Sequence, residues 1–155
     1  MYGLSETTSV PVLPPAETPR LVVLDRSGKI VNSVTEPGTY SQPVFSSDRK
    51  RLAVVKADPR TQNPDIWVID LATGRSTQLT SGPPSGTPVW SPDGNQIAYV
   101  STRDGVSNIY RKSSSGAGNE ELLYRHSGFG GVALIDWSPS GLCFLDAINI
   151  SGAFY

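Results

Sequence analysis

Reactive side chains are scarce in this sequence, which holds one cysteine, Cys143, and one histidine, His126, among 155 residues. A lone cysteine excludes an intrachain disulfide framework and a cysteine-based zinc site, and a lone histidine excludes a metal site built from several imidazoles. Cys143 lies in the apolar run Leu142-Cys-Phe-Leu145 and reads as a small core residue. No run approaches the roughly 18 apolar residues that a membrane-spanning helix needs, so no direct membrane insertion is expected. The first 20 residues lack the charged-then-apolar order of a secretion signal. A net charge of -1 gives no general attraction to nucleic acid or to anionic membranes. The one dense basic run, Arg49-Lys50-Arg51, occupies a turn position and reads as a solvated hairpin tip.

Catalytic signatures are missing as well. The sequence contains no Gly-x-Ser-x-Gly nucleophile elbow, and no Gly-x-Gly-x-x-Gly or Walker motif for phosphates. Asp93-Gly94-Asn95 and Asp104-Gly105 fall short of the six to eight oxygens of a calcium loop and read as turns. His126 sits in a Gly-rich connection and reads as a loop residue, and Gly128-Phe-Gly-Gly131 reads as a flexible connector. No residue is therefore assigned to catalysis, to a cofactor or to a metal.

What is present in excess is turn chemistry and repetition. The 15 Gly and 13 Pro suit many short strands joined by tight turns. Three stretches are copies of one another: Pro43 to Val55, Pro88 to Val100 and Asp136 to Leu145, with Phe45, Trp90 and Trp137 recurring 45 and then 47 residues apart. A β-rich repeat of that period is the signature of propeller blades. In the best copy, Val89-Trp-Ser91 makes a first strand and Ser91-Pro-Asp-Gly94 a turn. Pro presets φ, Asp bonds nearby amides and Gly accepts the left-handed conformation. Gln96 to Ser101 is a second strand, Asp104-Gly105 a two-residue hairpin, Asn108 to Lys112 a third strand, and Glu120 to Tyr124 a fourth.

The preceding copy uses Pro43 to Ser46, Arg51 to Lys56, Asp65 to Asp70 and Ser76 to Thr80. There Arg49 replaces the turn glycine, so it must take a left-handed conformation at about 1 kcal/mol or change the turn type. Its longer insert, Ala57 to Asn63, is the kind of edge loop on which binding surfaces are built. Leu21 to Asp25 and Ile30 to Thr35 form an outer half-blade before these copies. Val132 to Trp137 and Leu142 to Ala147 form an inner half-blade after them, shortened by two residues at its turn. The fold class expected is all-β: a partial, open β-propeller segment. It has a Pro-rich linker at 1–20, a half-blade at 21–36, whole blades at 43–82 and 88–126, and an incomplete blade at 132–155, and it reads as a piece of something longer.

At Pro88 to Tyr110 the string PVWSPDGNQIAYVSTRDGVSNIY closely resembles the WD-like β-propeller repeat of the TolB family, found also in tricorn-type and prolyl-oligopeptidase-type propellers and in sensor domains of bacterial serine/threonine kinases. That resemblance implies a non-catalytic bacterial propeller of about six blades that binds proteins or peptides outside the cytoplasm. The alternatives it leaves open are an accessory propeller of a prolyl-oligopeptidase-type peptidase and a carbohydrate-binding propeller. Trp67, Trp90, Trp137, Tyr99 and Tyr110 hold equivalent repeat positions and are expected to pack between blades rather than to form a stacking platform. Tyr40 and Phe129 lie in connectors and are the freer aromatic candidates for a partner. A head-to-tail homodimer would complete both split blades and remove their open edges.

Overall fold

The computed structural model describes residues 20–34, 37–127 and 131–146, and the described residues contain strands and turns without a helix. Strands β1 (Leu21–Leu24) and β2 (Ile30–Val34) form a first, two-stranded sheet. A four-stranded antiparallel meander follows, made of β3 (Tyr40–Phe45), β4 (Arg51–Ala57), β5 (Pro64–Asp70) and β6 (Ser76–Gln78). Its repeat is β7 (Ser85–Trp90), β8 (Gln96–Arg103), β9 (Val106–Ser113) and β10 (Glu121–Tyr124). A last pair, β11 (Val132–Ser138) and β12 (Gly141–Asp146), completes the row. The expected plan of two whole blades flanked by an outer and an inner half is the observed one. Residues 1–19 of the proposed linker, Thr35 and Glu36, and the stretch beyond Asp146 lie outside the described residues.

The turn between the first two strands of each blade shows why these segments fold alike. Ser46 and Ser91 are buried, and each hydroxyl donates to the carboxylate two residues on, Asp48 or Asp93, at 2.6 Å. The same oxygens accept the amides of Arg51 at 3.0 Å and Gln96 at 2.9 Å. Each Asp also accepts an amide, from Lys50 at 3.1 Å and Asn95 at 3.0 Å. Hydrogen bonding, led by the serine, holds both carboxyls below their ordinary pKa. Gly94 closes its turn at φ 71°, and Arg49 takes the left-handed conformation at φ 56° in the equivalent place. Asp104 and Gly105 have φ of 52° and 77°, the pair of positive values that a two-residue hairpin demands.

Packing follows from the alternation of side chains along each strand. Ala53, Val55, Ile66 and Val68 meet Trp90, Ile97, Tyr99 and Tyr110 between the two whole blades. Val89, Ala98 and Ile109 meet Val132 and Leu134, with Trp137, Leu142 and Phe144 packed beside them. On the far side of the first blade, Leu52, Val54 and Ile69 gather Leu21, Tyr40 and Trp67. The aromatic positions of the repeat therefore wedge the seams, as their equivalence predicts, with one exception: Phe45 remains 43% exposed.

Four expectations need correction. Cys143 is exposed, although the equivalent Ala53 and Ala98 are 0% exposed, because its face of β12 has no sheet beyond it among the described residues. Arg51 is not part of a solvated tip: its guanidinium reaches the neighbouring blade and bonds Ser114 Oγ at 2.9 Å and Gly94 O at 2.8 Å. Tyr40 is a strand residue of β3, half-buried beneath the Lys56 ammonium. The first strands begin earlier than the repeat suggested, at Tyr40 and Ser85, because each carries a bulge, between Ser41 and Val44 and between Gly86 and Val89.

Candidate functional site

The innermost strands of three successive sheets, β3, β7 and β11, enclose a cleft of about 450 Å³, within the size range of ligand-binding pockets. Its walls bring together Phe45, Trp90 and Trp137, the aromatic position of all three repeat copies, with Ile135 and Asp136 from β11. Asp136 is the one charged residue of this lining and is exposed. Trp90 is held in place by its indole N–H, which donates to Val44 O at 2.9 Å, and by the Arg51 guanidinium 4.8 Å above its ring. Ser47, at the rim, donates to Pro92 O at 3.1 Å and ties the two turn tips together.

The bulges shape this cleft. Gln42 and Thr87 stand 45 residues apart, each directly before a proline, and have φ of 51° and 47°. A left-handed, β-branched Thr87 is backbone strain of about 1–3 kcal/mol. The Gln42 side chain offsets part of it, its Oε1 accepting the Thr87 amide at 2.6 Å. The Thr87 hydroxyl oxygen is buried and makes no hydrogen bond among the described residues. Behind the bulge a second opening of about 300 Å³ reaches Ser41, Gly86, Val100 and Val132. Gln42 and Thr87 thus stand between two openings along the same inner strands, and unsatisfied polar groups combined with strain concentrate at such sites.

Other polar clusters hold the blades rather than opening to solvent. Tyr99 is fully buried, donates to Glu120 Oε2 at 2.7 Å and stacks on Tyr110 at 6.1 Å. Glu120 meets Arg103 at 2.6 Å, and that guanidinium lies 4.0 Å over the Tyr110 ring. Burial pushes the Glu120 carboxyl up, but the bonds from Arg103 and Tyr99 outweigh it and hold its pKa below the ordinary value. Burial, then the bond to Glu120, drives the Tyr99 phenol upward. His126 is 4% exposed and lies between blade and half-blade, with Nδ1 2.7 Å from Asp146 Oδ1, while Tyr124 donates to the other oxygen of Asp146. The loop placement of His126 is as expected; its burial at a seam is what the sequence did not show.

The insert at Ala57–Asn63 is closed on itself. Asp58 accepts the amides of Arg60 at 2.9 Å and Thr61 at 2.7 Å, and its own amide donates to Asn63 O at 2.9 Å. It borders a small pocket of about 130 Å³ with Lys56, Asp65 and Trp67, where Lys56 Nζ lies 5.1 Å from the Trp67 ring centre. Among the described residues no group of three metal-ligating side chains gathers. Phe129 and most of the Gly128–Gly131 connector lie outside the described residues.

The arrangement of equivalent four-stranded sheets side by side agrees with comparison against known families, in which the model for the TolB beta propeller domain (PD40) matches residues 16–146. The chain belongs to this family. A TolB chain of the Tol-Pal system from Alcanivorax borkumensis is 33% identical over 133 residues, 83% of this chain and 28% of that protein. A Bacillus subtilis protein named as an uncharacterized peptidase, YuxL, is 31% identical over 127 residues, 77% of this chain and 19% of that protein. The structure of a putative TolB from Agrobacterium tumefaciens superposes with a TM-score of 0.64 at 26% identity, over 81% of this chain and 46% of that one. The chain thus spans less than a third of the length of these two curated relatives.

Gln42 and Thr87 are not among the residues singled out from the sequence, yet their signal is there: a residue before Pro at the same place in two consecutive copies, Gln42-Pro43 and Thr87-Pro88.

Proposed function

We propose that this TolB-family propeller segment is a non-catalytic binding module that recognises a protein or peptide in the cleft between β3, β7 and β11, as part of a longer extracytoplasmic TolB-like protein or kinase-linked sensor. The observation that carries this reading is that Phe45, Trp90 and Trp137 line one cleft together with a single charged residue, Asp136. Aromatic walls supply apolar contact area, and one charged group fixes the orientation of what binds. A peptide with an apolar side chain next to a basic one is the complementary ligand. Selection from a displayed peptide library tests this. Selected sequences should carry that apolar–basic pair and lose about tenfold or more in affinity on Asp136→Lys, a difference of about 1.4 kcal/mol. Peptides that bind the Asp136→Lys protein unchanged, or a selection that enriches nothing, overturn the reading.

The second reading, an accessory propeller of a peptidase, is favoured by the similarity to the peptidase-named protein of Bacillus subtilis. A serine-hydrolase domain in the same gene would decide for it. A carbohydrate ligand is the third reading, and saturable binding on a glycan array decides for that one.

A further inference from the structure

One side chain bridges the two whole blades at their bulges. Gln42 of β3 and Thr87 of β7 hold the same repeat position, and both keep a left-handed backbone directly before a proline, where the preceding residue is ordinarily driven to extended conformations. The third copy carries Leu134 at this place, so the repeat itself does not call for an amide side chain there. The register shift between Gly86 and Val89 leaves Thr87 without a partner residue on β8, and Gln42 Oε1 accepts its amide instead, at 2.6 Å.

That bond fixes which way the carboxamide faces. An N–H can meet only the oxygen of the group, so Nε2, with its two N–H donors, is the branch left for another partner. Gln42 is exposed, and its Nε2 donates to no protein acceptor among the described residues. A donor already held in one orientation loses little further rotamer freedom when an acceptor arrives. Gln42 and Thr87 line both the cleft that contains Asp136 and the second opening. The lining of the second opening carries no charged side chain and includes Val55, Val100, Val132, Pro64 and Pro84, which suits an apolar group.

We propose that Gln42 fixes the main chain of a peptide ligand, its Nε2 donating to one main-chain carbonyl while apolar side chains on either side of that carbonyl enter the two openings. This rests on the peptide reading of the cleft and deepens it. Besides the apolar–basic pair at Asp136, the ligand carries a second apolar residue beyond the Gln42 contact, and it runs extended. An extended segment fits because its carbonyls are not engaged within its own chain and its side chains alternate between two faces.

The test uses peptides selected from the displayed library on the unaltered chain, resynthesised with each amide in turn replaced by an ester, whose carbonyl is a weaker acceptor. At one position the ester should cost about threefold to tenfold in affinity, the size of one neutral hydrogen bond. Gln42→Met keeps the length of the side chain without donor or acceptor. It should bind the parent peptide weaker by a similar factor, and the ester at that position should then cost nothing more. Gln42→Glu still accepts the Thr87 amide but lacks the donor, and it should abolish the ester effect too, so it serves if Gln42→Met does not fold. An ester cost equal in all three proteins, or no cost at any position, overturns the inference. Asp136→Lys, measured beside them, separates the two claims. Affinity that depends on Asp136 but not on Gln42 sinks this inference and leaves the cleft reading standing, whereas a Gln42-dependent ester effect in peptides indifferent to Asp136 upholds it and overturns the apolar–basic pairing alone. A selection that enriches nothing overturns both.

Discussion

Asp65 and Glu120 respond to burial in opposite directions because their partners differ. Asp65 is 8% exposed and accepts only neutral donors, Thr80 Oγ1 at 3.1 Å and Gln78 Nε2 at 3.2 Å. Desolvation therefore dominates and raises its pKa above 3.8. Glu120 has Arg103 beside it, and its pKa falls below 4.5. The linkage signs are opposite. A raised carboxyl disfavours the folded state as pH climbs from 3.8 through its folded value, whereas a lowered one stabilises above 4.5 and loses that contribution as pH falls. Asp65→Asn should therefore leave stability at neutral pH unchanged or higher, and Glu120→Gln should lower it. Thermal melts from neutral pH to pH 3 check both: the Glu120→Gln curve should approach that of the unaltered protein on acidification, and equal offsets at every pH would contradict the assignment. The sequence shows which carboxylates sit in turns, since Asp48 and Asp93 act within five residues of themselves. It does not show that Asp65 is buried, because the groups around it arrive from Gln78 of β6 and from Thr80 just beyond that strand.

At the scale of the strand, periodicity read from the sequence was sufficient where contacts are local. The Ser-x-Asp turns, the Asp104-Gly105 hairpin and the alternation along β4, β5, β8 and β9 are all contained within one blade. Arg51 departs from the expected solvated tip because its role lies in the next blade: as the first residue of β4 it points across the seam, stacks on Trp90 and bonds Gly94 O and Ser114 Oγ. Arg51→Ala removes both bonds and the cation–π contact, and Ser114 Oγ still donates to Gly94 O at 2.9 Å. A loss of about 1–3 kcal/mol in unfolding free energy is expected from charge-assisted bonds of this kind. Denaturant titration measures it, and a change within about 0.5 kcal/mol, usual for an ordinary surface site, would mean the clasp contributes nothing. The bulges of β3 and β7 escaped the alternation pattern for a related reason: one extra residue shifts the face of everything before it, and Gln42 and Thr87 sit at that shift.

For the molecule as a whole, the deciding quantity is what covers the two end faces. Cys143 reports on this directly, being the one thiol in the chain and lying on the open face of β12. Its reaction with a thiol reagent in the native protein should run close to the rate of the denatured chain. A native rate far below the denatured one would place other residues over that face. The order of strands, the two whole blades with their flanking halves, the Asp-Gly turns and the family were determined by the sequence alone, because a tandem repeat states its unit several times and its hairpins close over a few residues. The tertiary structure alone decided which face each strand turns to its neighbour, and therefore the convergence of Phe45, Trp90 and Trp137 into one cleft, the reach of Arg51 and the exposure of Cys143. These depend on how sheets some 45 residues apart are set against one another, and side-chain alternation specifies two faces without saying what lies opposite them.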